Sequence, residues 1–151
     1  MPYFFLALLC LINVQSQKFA CLGKNIVNCR EGPGPHCQTI SIFKKAKSWP
    51  VIIEREKDGW CFIQDYLGRN GWVKKKMLSM RYIVLTKDDD VKVYRRSAVN
   101  SAVCCILRKG CYALCRGQKK KDILWLNVQV DTSSGKKIRG WVQACHLWPT
   151  P

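Results

Sequence analysis

The chain has 151 residues, with 26 Lys and Arg against 10 Asp and Glu, a net charge of +16. It is 48% hydrophobic and 24% charged, which is a folding composition, and its length accommodates one domain or two very small ones. These figures exclude a disordered chain and most multidomain enzymes, and the charge calls for acidic partners: nucleic acid, an anionic membrane or an anionic wall polymer.

Residues 1–16 contain no charged side chain. Tyr3 to Val14 is an apolar run of signal-peptide length, too short for a span of roughly 20 residues. Val14-Gln15-Ser16 offers small residues where a signal peptidase reads, so cleavage is expected before Gln17 and the mature chain in the periplasm or outside the cell. A buried N-terminal strand or helix is the structural alternative, since the leader has no Lys or Arg. Acylation at Cys21 is disfavoured, because Lys18-Phe19-Ala20 lacks an apolar residue three positions before the cysteine.

The sequence has ten cysteines, and removing Cys10 with the leader leaves nine, an odd number. Cys111 and Cys115 have a usable metal-ligand spacing. However, adjacent Cys104 and Cys105 point to opposite faces of a strand, and only His36 and His146 add imidazoles. Small hydrophobes on strands are the favoured reading, with no metal and no cofactor.

From there the chain repeats. Val27-Asn28-Cys29-Arg30 is answered 64 residues later by Val91-Lys92-Val93-Tyr94, and Ile42-Phe43-Lys44-Lys45-Ala46 by Ile106-Leu107-Arg108-Lys109-Gly110. Trp60-Cys61-Phe62-Ile63-Gln64 meets Trp125-Leu126-Asn127-Val128-Gln129 at 65, and Gly71-Trp72-Val73 meets Gly140-Trp141-Val142 at 69. The offset grows through loops, chiefly 131–137. Within each copy, short β-branched and aromatic runs such as Val51 to Arg55 and Trp60 to Ile63 alternate with Gly and Asp turns. Only Lys74 to Leu78 and Gln143 to Leu147 look like a helical or 3₁₀ turn. An all-β chain of two small barrels is predicted.

In the first copy, Asn28-Cys29-Arg30-Glu31-Gly32-Pro33-Gly34 resembles the Asn-Val-Arg-x-Gly-Pro opening of bacterial SH3-like domains. Asp58-Gly59-Trp60, Gly68-Arg69-x-Gly71-Trp72-Val73 and Leu78-Ser79 follow in that family's order. The organisation expected is a signal peptide over 1–16, SH3-like barrels over 25–79 and 88–148, and an ordered connector over 80–87. The two-copy arrangement is similar to exported proteins of alphaproteobacteria. The second copy departs where Tyr94-Arg95-Arg96-Ser97 replaces the Arg-x-Gly-Pro turn.

No catalysis is expected. Wall-peptide hydrolases carrying such modules place a Cys–His pair in a separate domain, and two repeats plus a leader leave no room for one here. Nucleic acid is not expected either. Lys74-Lys75-Lys76 and Lys119-Lys120-Lys121 could contact phosphates, but the excess charge is spread evenly, seven over 17–79 and nine over 80–151. The expectation is a non-enzymatic envelope-binding module that takes extended peptides in an aromatic groove. The resemblance implies peptidoglycan peptides or an envelope protein as partner, with peripheral contact to anionic membrane also open. Candidate ligand residues are Trp49, Trp60 and Tyr66, with Arg30 and Glu31 as polar neighbours. Trp60, Trp72, Trp125 and Trp141 recur between copies and equally suit a core or groove wall. The rival is a rigid scaffold, since Met80 to Thr86 is apolar where a flexible linker would be Gly/Ser-rich.

Strand alternation also predicts that Cys29 and Cys61 face the core, as do their counterparts Val93 and Leu126. A Cys29–Cys61 disulfide is optional.

Overall fold

A computed structural model describes residues 17–151; the expected signal peptide lies outside the described residues. The first sheet holds β1 (Lys18–Leu22), β2 (Ile26–Arg30), β3 (Thr39–Lys44), β4 (Pro50–Lys57), β5 (Trp60–Asp65), β6 (Asn70–Lys74) and β7 (Leu78–Ser79). The second holds β8 (Ile83–Thr86), β9 (Val91–Tyr94), β10 (Val103–Leu107), β11 (Tyr112–Lys120), β12 (Leu124–Asp131), β13 (Lys137–Gln143) and β14 (Leu147–Trp148). Helix among the described residues is confined to two 3₁₀ turns, Lys75–Met77 and Ala144–His146.

Strand order is β3-β2-β6-β5-β4-β1-β7 in one sheet and β10-β9-β13-β12-β11-β8-β14 in the other. The second order is the first with every strand replaced by its repeat counterpart. Two SH3-like barrels in tandem are therefore the architecture, each a curled antiparallel sheet closed on its own core.

Alternation builds both cores. Along β2, Ile26 and Asn28 are exposed while Val27 and Cys29 are wholly buried. Cys29 and Cys61 are both 0% exposed within the first core, and Val93 and Leu126 are 0% exposed within the second. Burial is thus the requirement the two copies share. All nine cysteines from Cys21 onward are free thiols, so the optional disulfide is not formed.

The first sheet begins at Lys18, ahead of the expected start at 25, and Ile83–Thr86 lies inside the second sheet within the segment expected to connect the barrels. The reason is physical. Ala20-Cys21-Leu22 and Ile83-Val84-Leu85-Thr86 are continuously buried, so neither shows the period-two pattern of a strand with one wet face.

The recurring Gly-Trp-Val explains where the strands cross closely. A Cβ on Gly71, whose φ is +152°, would sit against the Cys29 thiol and 2.9 Å from the Arg30 carbonyl oxygen. A Cβ on Gly140 would meet the Tyr94 carbonyl oxygen and a Val93 methyl, each at 2.6 Å. Both glycines let β6 or β13 pass against its neighbour β2 or β9.

The barrels meet through aromatic pairs. Phe19 stacks on Tyr82 with centroids 4.7 Å apart, Trp49 meets Tyr112 edge-on at 6.2 Å, and Tyr66 leans on Trp148 at 5.8 Å.

Candidate functional site

The outer face of the first sheet carries a cross-strand row. Arg55 on β4 pairs with Phe62 on β5, Phe62 with Trp72 on β6, and Trp72 with Arg30 on β2. The Phe62 and Trp72 rings are edge-on at 5.5 Å, and the Arg55 guanidinium lies 4.5 Å from the Phe62 centroid. Such aromatic and cation–π contacts stiffen an exposed sheet face.

Beside this row lies a groove of about 250 Å³ lined by Ile26, Asn28, Arg30, Trp60, Lys74 and Met77. Three segments build it. Ile26, Asn28 and Arg30 are the outward residues of β2, Trp60 and Lys74 are cross-strand partners on β5 and β6, and Met77 ends the 3₁₀ turn. Arg30 is held in place: its Nη1 donates to the Cys37 carbonyl at 2.9 Å and to Thr39 Oγ1 at 3.0 Å. Lys74 Nζ sits 5.7 Å from the Trp60 ring centroid. The groove therefore combines two cations with an aromatic and aliphatic wall, which suits an extended ligand bearing a carboxylate. Exposed Ile40 and Ile42 on β3 extend the apolar surface beyond its β2 side.

The second barrel has its own depression at the corresponding place, lined by Asp89, Asp90, Val91, Lys92, Tyr94, Gln143 and His146 and only about 90 Å³ in volume. Tyr94 stands where Arg30 stands, and its ring packs edge-on against Trp125, the counterpart of Trp60, at 5.7 Å. His146 Nδ1 contacts Asp88 Oδ2 at 2.9 Å. The position is kept, but Tyr94 and Gln143 stand in the places of Arg30 and Lys74, and the remaining Lys92 shares the depression with Asp89 and Asp90.

Of the residues singled out in the sequence, Arg30 and Trp60 come together in the first groove. Glu31 is exposed just past β2, its amide donating to the Gln38 carbonyl, and does not line the groove. Trp49 and Tyr66 lie against the second barrel through Tyr112 and Trp148. Ile26, Asn28, Lys74 and Met77 are the groove residues the sequence reading missed. Outward alternation on β2 and β6 is the signal that points to the first three.

One buried polar cluster is structural. Asp65 is 1% exposed, accepts hydrogen bonds from the amides of Leu67 and Arg69, and receives Trp49 Nε1 at 3.2 Å. The Arg69 guanidinium pairs with its Oδ2 at 2.7 Å, closing the β5–β6 turn. Burial pushes the thiol pKa values of Cys21, Cys29 and Cys61 upward, so these thiols are poor nucleophiles. No group of three or more His, Cys, Asp or Glu side chains that could hold a metal occurs among the described residues.

Residues 23–79 match the family model of the bacterial SH3 domain. No curated protein matches the chain. Similar solved structures include NlpC2 from Trichomonas vaginalis, 13% identical with a TM-score of 0.40, where the match covers 90% of this chain and 49% of that one. NlpC1 from the same organism is 12% identical with a TM-score of 0.40, covering 91% of this chain and 48% of that one. An NlpC/P60 endopeptidase from Photobacterium damselae subsp. piscicida is 16% identical with a TM-score of 0.32, covering 88% and 34%. The chain thus spans about half the length, or less, of these structures.

Proposed function

We propose that this chain, whose first barrel is a bacterial SH3 domain, is a non-enzymatic binding module of the cell envelope. Its first-barrel groove takes a peptidoglycan peptide in extended form. The observation that carries this reading is the pairing of Arg30 and Lys74 with the walls of Trp60, Ile26 and Met77. A wall peptide offers free carboxylates to the two cations and aliphatic side-chain groups to the wall. Arg30, fixed by Cys37 and Thr39, loses little side-chain freedom on binding.

The mature chain starts near Gln17 and works outside the cytoplasm. Net positive charge holds it near anionic polymers and membrane headgroups by long-range attraction. Binding without hydrolysis agrees with the burial of Cys21, Cys29 and Cys61 and with the pairing of His146 to Asp88 rather than to a thiol. Iodoacetamide-sensitive release of muropeptides by the purified protein would contradict it.

A scaffold for an envelope protein complex is the second reading. It is favoured by the three aromatic pairs that join the barrels. Cosedimentation with insoluble peptidoglycan separates the two. Retention of the wild-type protein, lost in Arg30→Ala, supports the binding module; no retention of either favours the scaffold.

A further inference from the structure

The loop that lengthens the second copy does more than break the repeat. In the first barrel, β4 and β5 stay paired through Ile52↔Gln64 and on to Val51↔Asp65. The matching pair in the second barrel is Leu114↔Gln129, and there the β11–β12 pairing stops. Tyr112 and Ala113 keep only their pairing with Leu85 and Val84 of β8, the counterpart of the β4–β1 pairing in the first barrel. Val130 and Asp131 run on beside Ile138 and Lys137 of β13, carried by the longer β12–β13 hairpin. β12 is therefore paired on one side only at Val130 and Asp131.

The gap left by this parting opens toward the first barrel. It forms a cleft of about 520 Å³ lined by Tyr112, Ala113 and Leu114 on one strand and Gln129, Val130 and Asp131 on the other. Lys47 and Ser48 of the first barrel, Arg81 between the sheets, and Ile83, Gly110 and Cys111 of the second barrel complete it. The volume lies within the roughly 300–1,000 Å³ of ligand pockets. Gln129 is 7% exposed, and its Oε1 accepts from Arg139 Nε at 3.0 Å. Its amide nitrogen makes no hydrogen bond within the described residues and stays open to solvent, since no buried side-chain polar atom among them lacks a partner. Neither Lys47 nor Arg81 is in an ion pair among the described residues. Ser48 is held at φ +73°, a conformation that is costly for a non-glycine residue.

An open strand edge, a free amide donor and two unpaired cations facing one cleft make a complementary set. We infer that this inter-barrel cleft binds a short acidic peptide segment, added as an extra strand to the Val130–Asp131 edge of β12, with its carboxylates turned to Lys47 and Arg81. Backbone pairing supplies affinity and the two cations supply selection. Asp131 at the far end repels a second carboxylate and so sets the direction in which the peptide lies. This site is independent of the first-barrel groove, and neither reading depends on the other.

The test is a titration of the 15N-labelled protein with acetyl-Val-Glu-Val-Glu-amide and with acetyl-Val-Lys-Val-Lys-amide. The acidic peptide should shift the amides of Val130, Asp131 and Tyr112 to Leu114, and any shift over Ile26 to Arg30 is read as binding at the separate first-barrel groove. The basic peptide should shift none of these. Lys47→Glu combined with Arg81→Glu, both at exposed positions, should weaken the binding read from the cleft amides about tenfold or more, while Arg30→Ala leaves the cleft shifts as they are. No cleft shift at millimolar peptide, equal shifts with the basic peptide, or indifference to the double charge reversal overturns the inference.

Discussion

Arg30 in the first barrel and Tyr94 in the second occupy one place in the fold: each pairs across the ladder with the tryptophan of its Gly-Trp-Val strand, Arg30 with Trp72 and Tyr94 with Trp141. At Arg30 the groove beside it stays open. At Tyr94 a phenol ring packs on Trp125 and fills much of the equivalent space. This exchange, together with Gln143 in the place of Lys74 and the added Asp89 and Asp90, separates a cationic groove from a smaller, partly acidic one. Tyr94→Ala should open the second depression without conferring affinity for an anionic peptide, because no cation stands in the places of Arg30 and Lys74 and Lys92 is offset by Asp89 and Asp90. Binding assays on Tyr94→Ala and Tyr94→Arg check this, and only the arginine variant should gain any.

The Gly-Trp-Val glycines should be intolerant of a methyl group. Gly140→Ala forces a Cβ to within 2.6 Å of the Tyr94 carbonyl oxygen, where backbone must move, and should cost about 2–3 kcal/mol. Gly117, on the exposed part of β11 with nothing within 4 Å of an added methyl, is the control. Gly117→Ala should be neutral or stabilising by up to about 1 kcal/mol. Urea denaturation of the two variants beside the wild type measures both.

Buried thiols make a prediction about alkaline pH. The pKa values of Cys21, Cys29 and Cys61 are raised in the folded protein, chiefly by burial. The unfolded chain therefore loses these protons first as pH rises. The stability they contribute is whole below the unfolded thiol pKa of about 8.5 and is lost above it, as pH climbs towards the folded values. Melting temperature should decline from about pH 8.5 upward, and less so in Cys29→Val. In native reduced protein at neutral pH, exposed Cys104 and Cys145 should alkylate quickly while Cys29 and Cys61 wait for unfolding.

Asp65 anchors the β5–β6 turn by accepting two backbone amides, the Trp49 indole and the Arg69 guanidinium. Asp65→Ala leaves those donors without their acceptor and should cost about 2–3 kcal/mol, read as a lower denaturation midpoint. Trp49 also touches Tyr112, so the same variant should change Trp fluorescence before global unfolding.

The fold was largely legible because the sequence states it twice. Val27 and Cys29 against Val91 and Val93, and Cys61 against Leu126, identify inward positions without any coordinates. β1 escaped because Ala20-Cys21-Leu22 is continuously buried, which removes the alternation a strand is recognised by, whereas the apolar run Met80 to Thr86 reads as a strand joining the barrels and holds β8. The groove was half legible. Arg30 and Trp60 stand out as motif residues, whereas Lys74 and Met77 join them only through the pairing of β5 with β6 and the turn that follows. Trp49 and Tyr66 show the converse limit: an aromatic outside the core pattern can serve a ligand or a neighbouring barrel, and composition does not distinguish them. Nor does sequence reveal that a longer loop after Asp131 leaves the edge of β12 unpaired.

The central claim is that the Arg30–Lys74–Trp60 groove binds wall peptide, and calorimetric titration with purified muropeptides tests it most directly. The account predicts saturable binding to the wild-type protein, weakened about tenfold or more by Arg30→Ala and unchanged by the cleft pair Lys47→Glu and Arg81→Glu. Equal affinity of the wild type and Arg30→Ala, or no heat of binding to either, would contradict it.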